Sequence, residues 1–71
     1  MQKDAFLIKL GKQIVSIRKS KGMTQQDLAH ACFKERQSIE RVENAKTNPT
    51  AYYLNEIAEA LDISLSELMD F

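Results

Sequence analysis

Apolar residues recur at three- and four-residue intervals along almost the whole chain, and nowhere do they alternate with polar ones, which confines the fold to packed helices. Phe6, Leu7, Leu10, Ile14 and Ile17 form one such stripe and predict a first helix over about Asp4 to Ser20. Gly22 follows where a helix end favours a residue free to take positive φ, and Lys19 and Lys21 suit the negative end of the helix dipole. Thr24 with Asp27 three residues on reads as a reciprocal cap, and Met23 can staple onto Leu28. A second helix is therefore expected over about 25–31, too short to stand without its neighbours. The third is expected from Glu35 to Asn44, with Ile39 and Val42 inward. Asn44 to Pro49 reads as a loop, because asparagine tolerates turn conformations and the residue before proline avoids the helical region. Thr50 caps a fourth helix carrying Leu54, Ile57, Ala58 and Leu61. Ser64 and Glu67 form a full capping box for a fifth, with Ile63 able to staple onto Leu68 and with Leu65, Leu68, Met69 and Phe71 as its apolar set. The expected architecture is all-α, a compact five-helix bundle.

Seventy-one residues hold one core, so a single domain over residues 1–71 is expected. Cys32 is the one cysteine and His30 the one histidine. That excludes an internal disulfide and falls short of the ligands of a zinc site, so no metal or cofactor is expected. With no glycine-rich phosphate loop and no nucleophile–base pair, the pattern is not that of an enzyme. His30 is expected on the surface, Cys32 packed as a small hydrophobe, and one of Tyr52 and Tyr53 in the core with the other exposed. No apolar run is long enough to span a membrane, and the basic N-terminal stretch lacks the apolar core of a secretory signal. A cytoplasmic setting with no membrane partner is the expectation.

The formal charge cancels to zero, yet the charges are segregated. Residues 1–24 carry six basic side chains and one acidic, a balance of +5; residues 25–49 are neutral; residues 50–71 carry five acidic side chains and no basic one, a balance of −5. Such a distribution can turn a basic face toward a polyanion and an acidic face away.

The third helix sharpens this. At about 100° per residue, Ile39 and Val42 share one side, while Arg36, Gln37, Glu40 and Arg41 occupy the opposite arc. Arginine can bond guanine O6 and N7 bidentately, and glutamine adenine N6 and N7. The same arc also permits intrahelical pairs, Arg36 with Glu40 and Gln37 with Arg41, on a merely solvated face. Only Cys32-Phe33-Lys34 separates this helix from the one before it, a connection short enough for a helix-turn-helix, in which the second helix enters the major groove of DNA.

TQQDLAHACFKERQSIERVENAKTNP, followed by LNEIAEALDISLSELM, resembles the Cro/CI-type (XRE) helix-turn-helix domain, the lambda repressor-like DNA-binding domain of phage repressors and small bacterial regulators. The resemblance runs from about Ile14 to Met69, with the helix-turn-helix at about 24–44. It rests on Gln25 opening the second helix, Ala29 at the tight helix contact, Ile39 and Val42 inward, Glu43-Asn44, the NPT turn and two final helices. It implies a sequence-specific regulator of double-stranded DNA, a dimeric repressor or autoregulator on a two-fold symmetric operator, in a bacterial cytoplasm or a phage-infected cell.

Carried over, the resemblance places Glu35, Arg36, Gln37 and Arg41 at base-reading positions. It places Gln25, Gln26, Asn44, Lys46, Thr47 and Asn48 on phosphates, contacts that position the protein without reading sequence. The free N–H groups opening the second helix favour an anion independently, and the match to Gln25 also implies a brace for the reading helix. Arg18 and Glu43 match an internal salt bridge between the first and third helices. Glu40 is expected to orient Arg36 or Arg41, or to face solvent. Leu65, Leu68, Met69 and Phe71 are the expected dimer interface, or else close the core. Two residues depart from the pattern. Phe33 stands where a left-handed glycine or asparagine is usual, which predicts an altered turn; Ala45 stands for a glycine, which predicts a third helix running on past its usual end. The alternative from another class is a protein-interaction module on the same fold, such as an antitoxin whose acidic C-terminal region binds a toxin.

Overall fold

The computed structural model describes residues 3–71, two fewer than the expected domain span. Five helices follow one another: α1 Lys3–Ser20, α2 Gln25–Ala31, α3 Arg36–Glu43, α4 Ala51–Ala60 and α5 Leu65–Leu68. Among the described residues there is no strand. α2 and α3 pack on each other, α1 lies across α3, and α4 holds α5. Leu10, Ile14, Leu28, Ile39, Ile57, Leu61 and Leu68 form the centre, each at most 1% exposed. Ala29 of α2 is fully buried, and its small side chain suits a close helix contact. Phe6, expected within the first stripe, instead sits at its edge, half exposed and in a tilted contact with Phe71, ring centroids 5.4 Å apart.

The four connections are built alike at the helix ends. After α1, Met23 N–H donates to Arg18 O and Gly22 N–H to Lys19 O, with Gly22 at φ 71°. The same pair of bonds closes α2 around Phe33, α3 around Ala45 and α4 around Asp62, all three near φ 57–59°. This double bond satisfies carbonyls that the helix leaves free, and it demands a left-handed residue. Gly22 meets that demand without strain; a side chain there costs about 1–2 kcal/mol. The expectations for Phe33 and Ala45 are thereby corrected. Phe33 does not alter the turn and Ala45 does not extend α3: both residues are driven into the left-handed conformation, because the alternative leaves several backbone groups unpaired. Two residues after Gly22, Phe33 and Asp62 stand the N-caps Thr24, Glu35 and Ser64. Thr24 and Ser64 form reciprocal capping boxes and Thr50 accepts from Tyr53 N–H, whereas Glu35 makes no side-chain cap. α3 thus begins one residue later than expected, with Glu35 as its cap, and ends one residue earlier.

Two further features fix α3 in place. Gly11 lies where α1 crosses the end of α3, and a Cβ there would overlap the Glu43 carbonyl; the glycine is required by this approach rather than by φ. Ser38 and Tyr53 share a hydroxyl–hydroxyl hydrogen bond that joins α3 to α4. Burial raises the Tyr53 pKa, so its phenol stays protonated.

Candidate nucleic-acid interface

The turn at Phe33 sends α3 out along the surface with Ile39 and Val42 buried beneath it. Its other side is open. Glu35, Arg36, Gln37 and Arg41 are all exposed. Among the described residues, no hydrogen bond or salt bridge engages the side chains of Gln37 and Arg41, so the intrahelical pairs allowed by their spacing do not form. Glu35, Gln37 and Arg41 instead meet Thr47 and Pro49 around a hollow of about 180 Å³ floored by Ser38 and Tyr53. The structure therefore brings three of the four expected base-reading residues and two loop residues, Thr47 and Pro49, onto one concave surface. Arg36 lies beside it on the α2 side, its Nη1 donating to Gln25 Oε1 at 3.1 Å.

Beneath this surface runs a chain of polar contacts. Arg18 and Glu43 meet in a bidentate pair, Nε to Oε2 at 2.7 Å and Nη2 to Oε1 at 3.1 Å, with side-chain exposures of 8% and 3%. Arg18 Nη1 also donates to Met23 O at 2.8 Å, which ties the end of α1 to the start of α2. Gln25 Nε2 donates to Glu43 Oε1 at 2.9 Å. Residues 18 apart on different helices carry no local signal, so this partner of Gln25 could not be read from spacing.

At the far end of α3, Glu40 does not hold Arg36 or Arg41. Its Oε1 accepts from Asn44 Nδ2 and from Lys46 Nζ, both at 3.1 Å. Lys46, the third residue after α3, turns back over the last turn of the helix and pairs with Glu40, so this carboxylate neutralises the loop and not the exposed arc of α3. Asn44, Lys46, Thr47 and Asn48 are exposed together there, and Gln26 is exposed at the opposite end beside Gln25, which is half-buried. The residues expected on phosphates thus flank the exposed arc of α3 on two sides.

Leu68 is fully buried in its own core; Leu65 and Met69 are both half-buried against that core, and Phe71 is 41% exposed. Among the described residues there is no cluster of metal-ligating side chains. No helix is long and apolar enough to cross a membrane.

Residues 14–68 match the HTH_3 family, whose description is helix-turn-helix. The chain belongs to this helix-turn-helix family. The match covers the four connections and the polar chain described above, and it bears out the XRE-type resemblance. The HTH-type transcriptional regulator y4dJ of Sinorhizobium fredii is 32% identical over 60 residues, 84% of this chain and 78% of that protein. The HTH-type transcriptional regulator SinR of Bacillus subtilis is 31% identical over 62 residues, 86% of this chain but 56% of SinR. Among solved structures, the restriction-modification controller protein C.AhdI from Aeromonas hydrophila superposes with a TM-score of 0.88 at 33% identity, covering 90% of this chain and 97% of that one. The controller protein C.Esp1396I superposes at 0.83 with 34% identity, over 90% and 86% of the two chains. This helix-turn-helix chain is a DNA-binding transcriptional regulator and not an enzyme.

Proposed function

We propose that the chain reads specific sites in double-stranded DNA as a dimer on a two-fold symmetric operator, and that it acts as a repressor or autoregulator in the cytoplasm. Arg36, Gln37 and Arg41 bond base edges in the major groove, with Glu35 at their margin meeting a cytosine amino group. Gln25 and Gln26 on one side, and Asn44, Lys46, Thr47 and Asn48 on the other, hold the two flanking phosphate runs. The observation that carries this reading is the open arc of α3, where Gln37 and Arg41 have no partner within the described residues and project beside a concave surface. Polar groups left in this state on a rigid helix are ready to bond a ligand without breaking bonds of their own.

Dimerisation follows from size. One exposed arc spans few base pairs, and two half-sites about 34 Å apart supply the affinity that one lacks. The surface best suited to it is the tilted pair Phe6 and Phe71 with the exposed parts of Leu65 and Met69, because Leu68 is used internally. The relatives named above are regulators and controllers, so the antitoxin alternative has no observation in its favour.

Selection of bound sequences from a random duplex pool, followed by electrophoretic shift at two salt concentrations, tests the reading. A recovered motif with inverted symmetry, retained in a salt-sensitive way, is expected. Recovery of unrelated sequences, bound equally at any salt, would refute it.

A further inference from the structure

We propose that Glu43 is a positioning residue for base recognition: it fixes the polarity of the Gln25 amide, and through that amide it holds the Arg36 guanidinium in place for its base. The inference rests on the reading of Arg36 given above, and goes beyond it by tying a buried internal charge to the choice of base.

A glutamine amide presents an acceptor at one end and two donors at the other, and by itself it is free to turn over. Gln25 is not by itself. On its inner side stands Glu43, an ionised carboxylate that can only accept. Its Oε2 takes Arg18 Nε, and its Oε1 takes Arg18 Nη2 and Gln25 Nε2. On the outer side stands Arg36, which can only donate, and it donates to Gln25 Oε1. Only one orientation of the amide satisfies both neighbours; the reverse would set oxygen against carboxylate and N–H against guanidinium. The nearly complete burial of Glu43 and its bidentate hold by Arg18 keep the carboxylate from turning away. Arg18, Glu43, Gln25 and Arg36 therefore form a directional series that starts inside the core and ends on the reading surface. The second Nε2 hydrogen of Gln25 is not used by Glu43, so the same amide can also bond a phosphate while it braces Arg36.

Replacing Glu43 with an amide removes the direction. In Glu43→Gln, a new N–H can face Gln25 and turn its amide over, which presents N–H groups to Arg36 and releases it. A residue that merely holds α1 to α3 would, on substitution, lower stability and weaken all DNA sites alike. A positioning residue changes the ratio between sites. The prediction is that Glu43→Gln lowers the preference for the selected base at the Arg36 position by about tenfold, within the range of a bidentate arginine contact. Affinity for unrelated duplex should change little.

The double substitution Gln25→Glu with Glu43→Gln supplies the control. It restores the bonds from position 43 to position 25 and from Arg36 to position 25 with donor and acceptor exchanged, keeps one of the two Arg18 bonds, and keeps the net charge. The new carboxylate at position 25 accepts from Arg36 and from the new amide at position 43, whose oxygen serves Arg18. Binding to every sequence weakens, since a carboxylate now faces phosphate, but the base preference returns. Nuclear relaxation of the Arg36 Nε–H in the free protein reads the brace without DNA: restrained in the wild type, mobile in Glu43→Gln, restrained again in the double variant. Equal mobility in all three overturns the brace. An unchanged ratio in Glu43→Gln, where Arg36→Ala lowers it, overturns the link from Glu43 to recognition. An unchanged ratio in both shows instead that Arg36 reads no base, and the inference falls with that reading.

Discussion

The two sides of α3 carry charge in opposite conditions. On the inner side Glu43 is 8% exposed and receives three hydrogen bonds, two from Arg18 and one from Gln25. On the outer side Gln37 and Arg41 lie in solvent with their hydrogen-bonding capacity unused among the described residues. Eight residues of one helix thus separate charge that belongs to the fold from charge that is left for a ligand. Where a polar group's donors and acceptors are all met inside the chain, its loss should cost stability, whatever else it changes; where they are not, its loss should leave stability intact and appear as recognition.

Substitutions can break or sharpen that contrast. The largest effect is expected from Arg18→Ala, which strands the Glu43 carboxylate in a buried position and should lower unfolding free energy by roughly 3–5 kcal/mol in urea titration. A loss under about 1 kcal/mol would mean that the inner charge is solvated and that the contrast is false. Arg41→Ala should do the reverse. Its unfolding midpoint should match the wild type, while discrimination at one base pair falls by roughly 1–3 kcal/mol in competition binding. A variant that unfolds more easily, or that binds every sequence equally less well, would move Arg41 to the inner class.

Phe33→Gly tests the turn that aims α3. Phe33 is 93% exposed at φ 57°, so the ring contributes little packing and the backbone is strained. Relief of that strain, less the added chain entropy of glycine, should raise stability by about 0.5–1 kcal/mol. Loss of stability instead would show that the ring makes contacts its exposure does not suggest. The smallest effect belongs to Asp27, whose carboxylate is held below its ordinary pKa of 3.8, first by the Thr24 backbone N–H and then by the Thr24 hydroxyl. A depressed folded pKa means that the cap's contribution is present above the unfolded value and fades as pH falls through the folded one. Between about pH 5 and about pH 2 the wild type should therefore lose more stability than Asp27→Asn; equal acid slopes would show that the cap does not hold the charged form.

The local parts of this fold were legible in the residues, and the non-local parts were not. The caps at Thr24, Thr50 and Ser64 could be read because each is a signal within four residues. The inward placement of Ile39 and Val42 followed from period alone. Phe33 and Ala45 misled because residue type argues against a left-handed conformation, while the paired bonds that close each helix outweigh it. Glu40 misled because its i+4 spacing from Arg36 suggested a partner on its own helix, when the loop returning through Lys46 brought a nearer one. Gly11 and the Gln25–Glu43 contact had no local signature, since both depend on where α1 and α2 cross α3. The fifth helix was read correctly as an element, but its apolar set could not be divided by sequence between core and surface. Burial assigns Leu68 to the core and leaves Phe71 against Phe6 at the rim.

The central claim is that the outer arc of α3 touches base edges in the major groove. Methylation interference at guanine N7 on a selected duplex probes those edges directly, because the methyl group blocks the atom that an arginine fork would bond. The account predicts one or two guanines in each half-site whose methylation abolishes binding by the wild type, with Arg36→Ala or Arg41→Ala losing sensitivity at one of them. Binding that tolerates N7 methylation at every guanine of the selected site would contradict it.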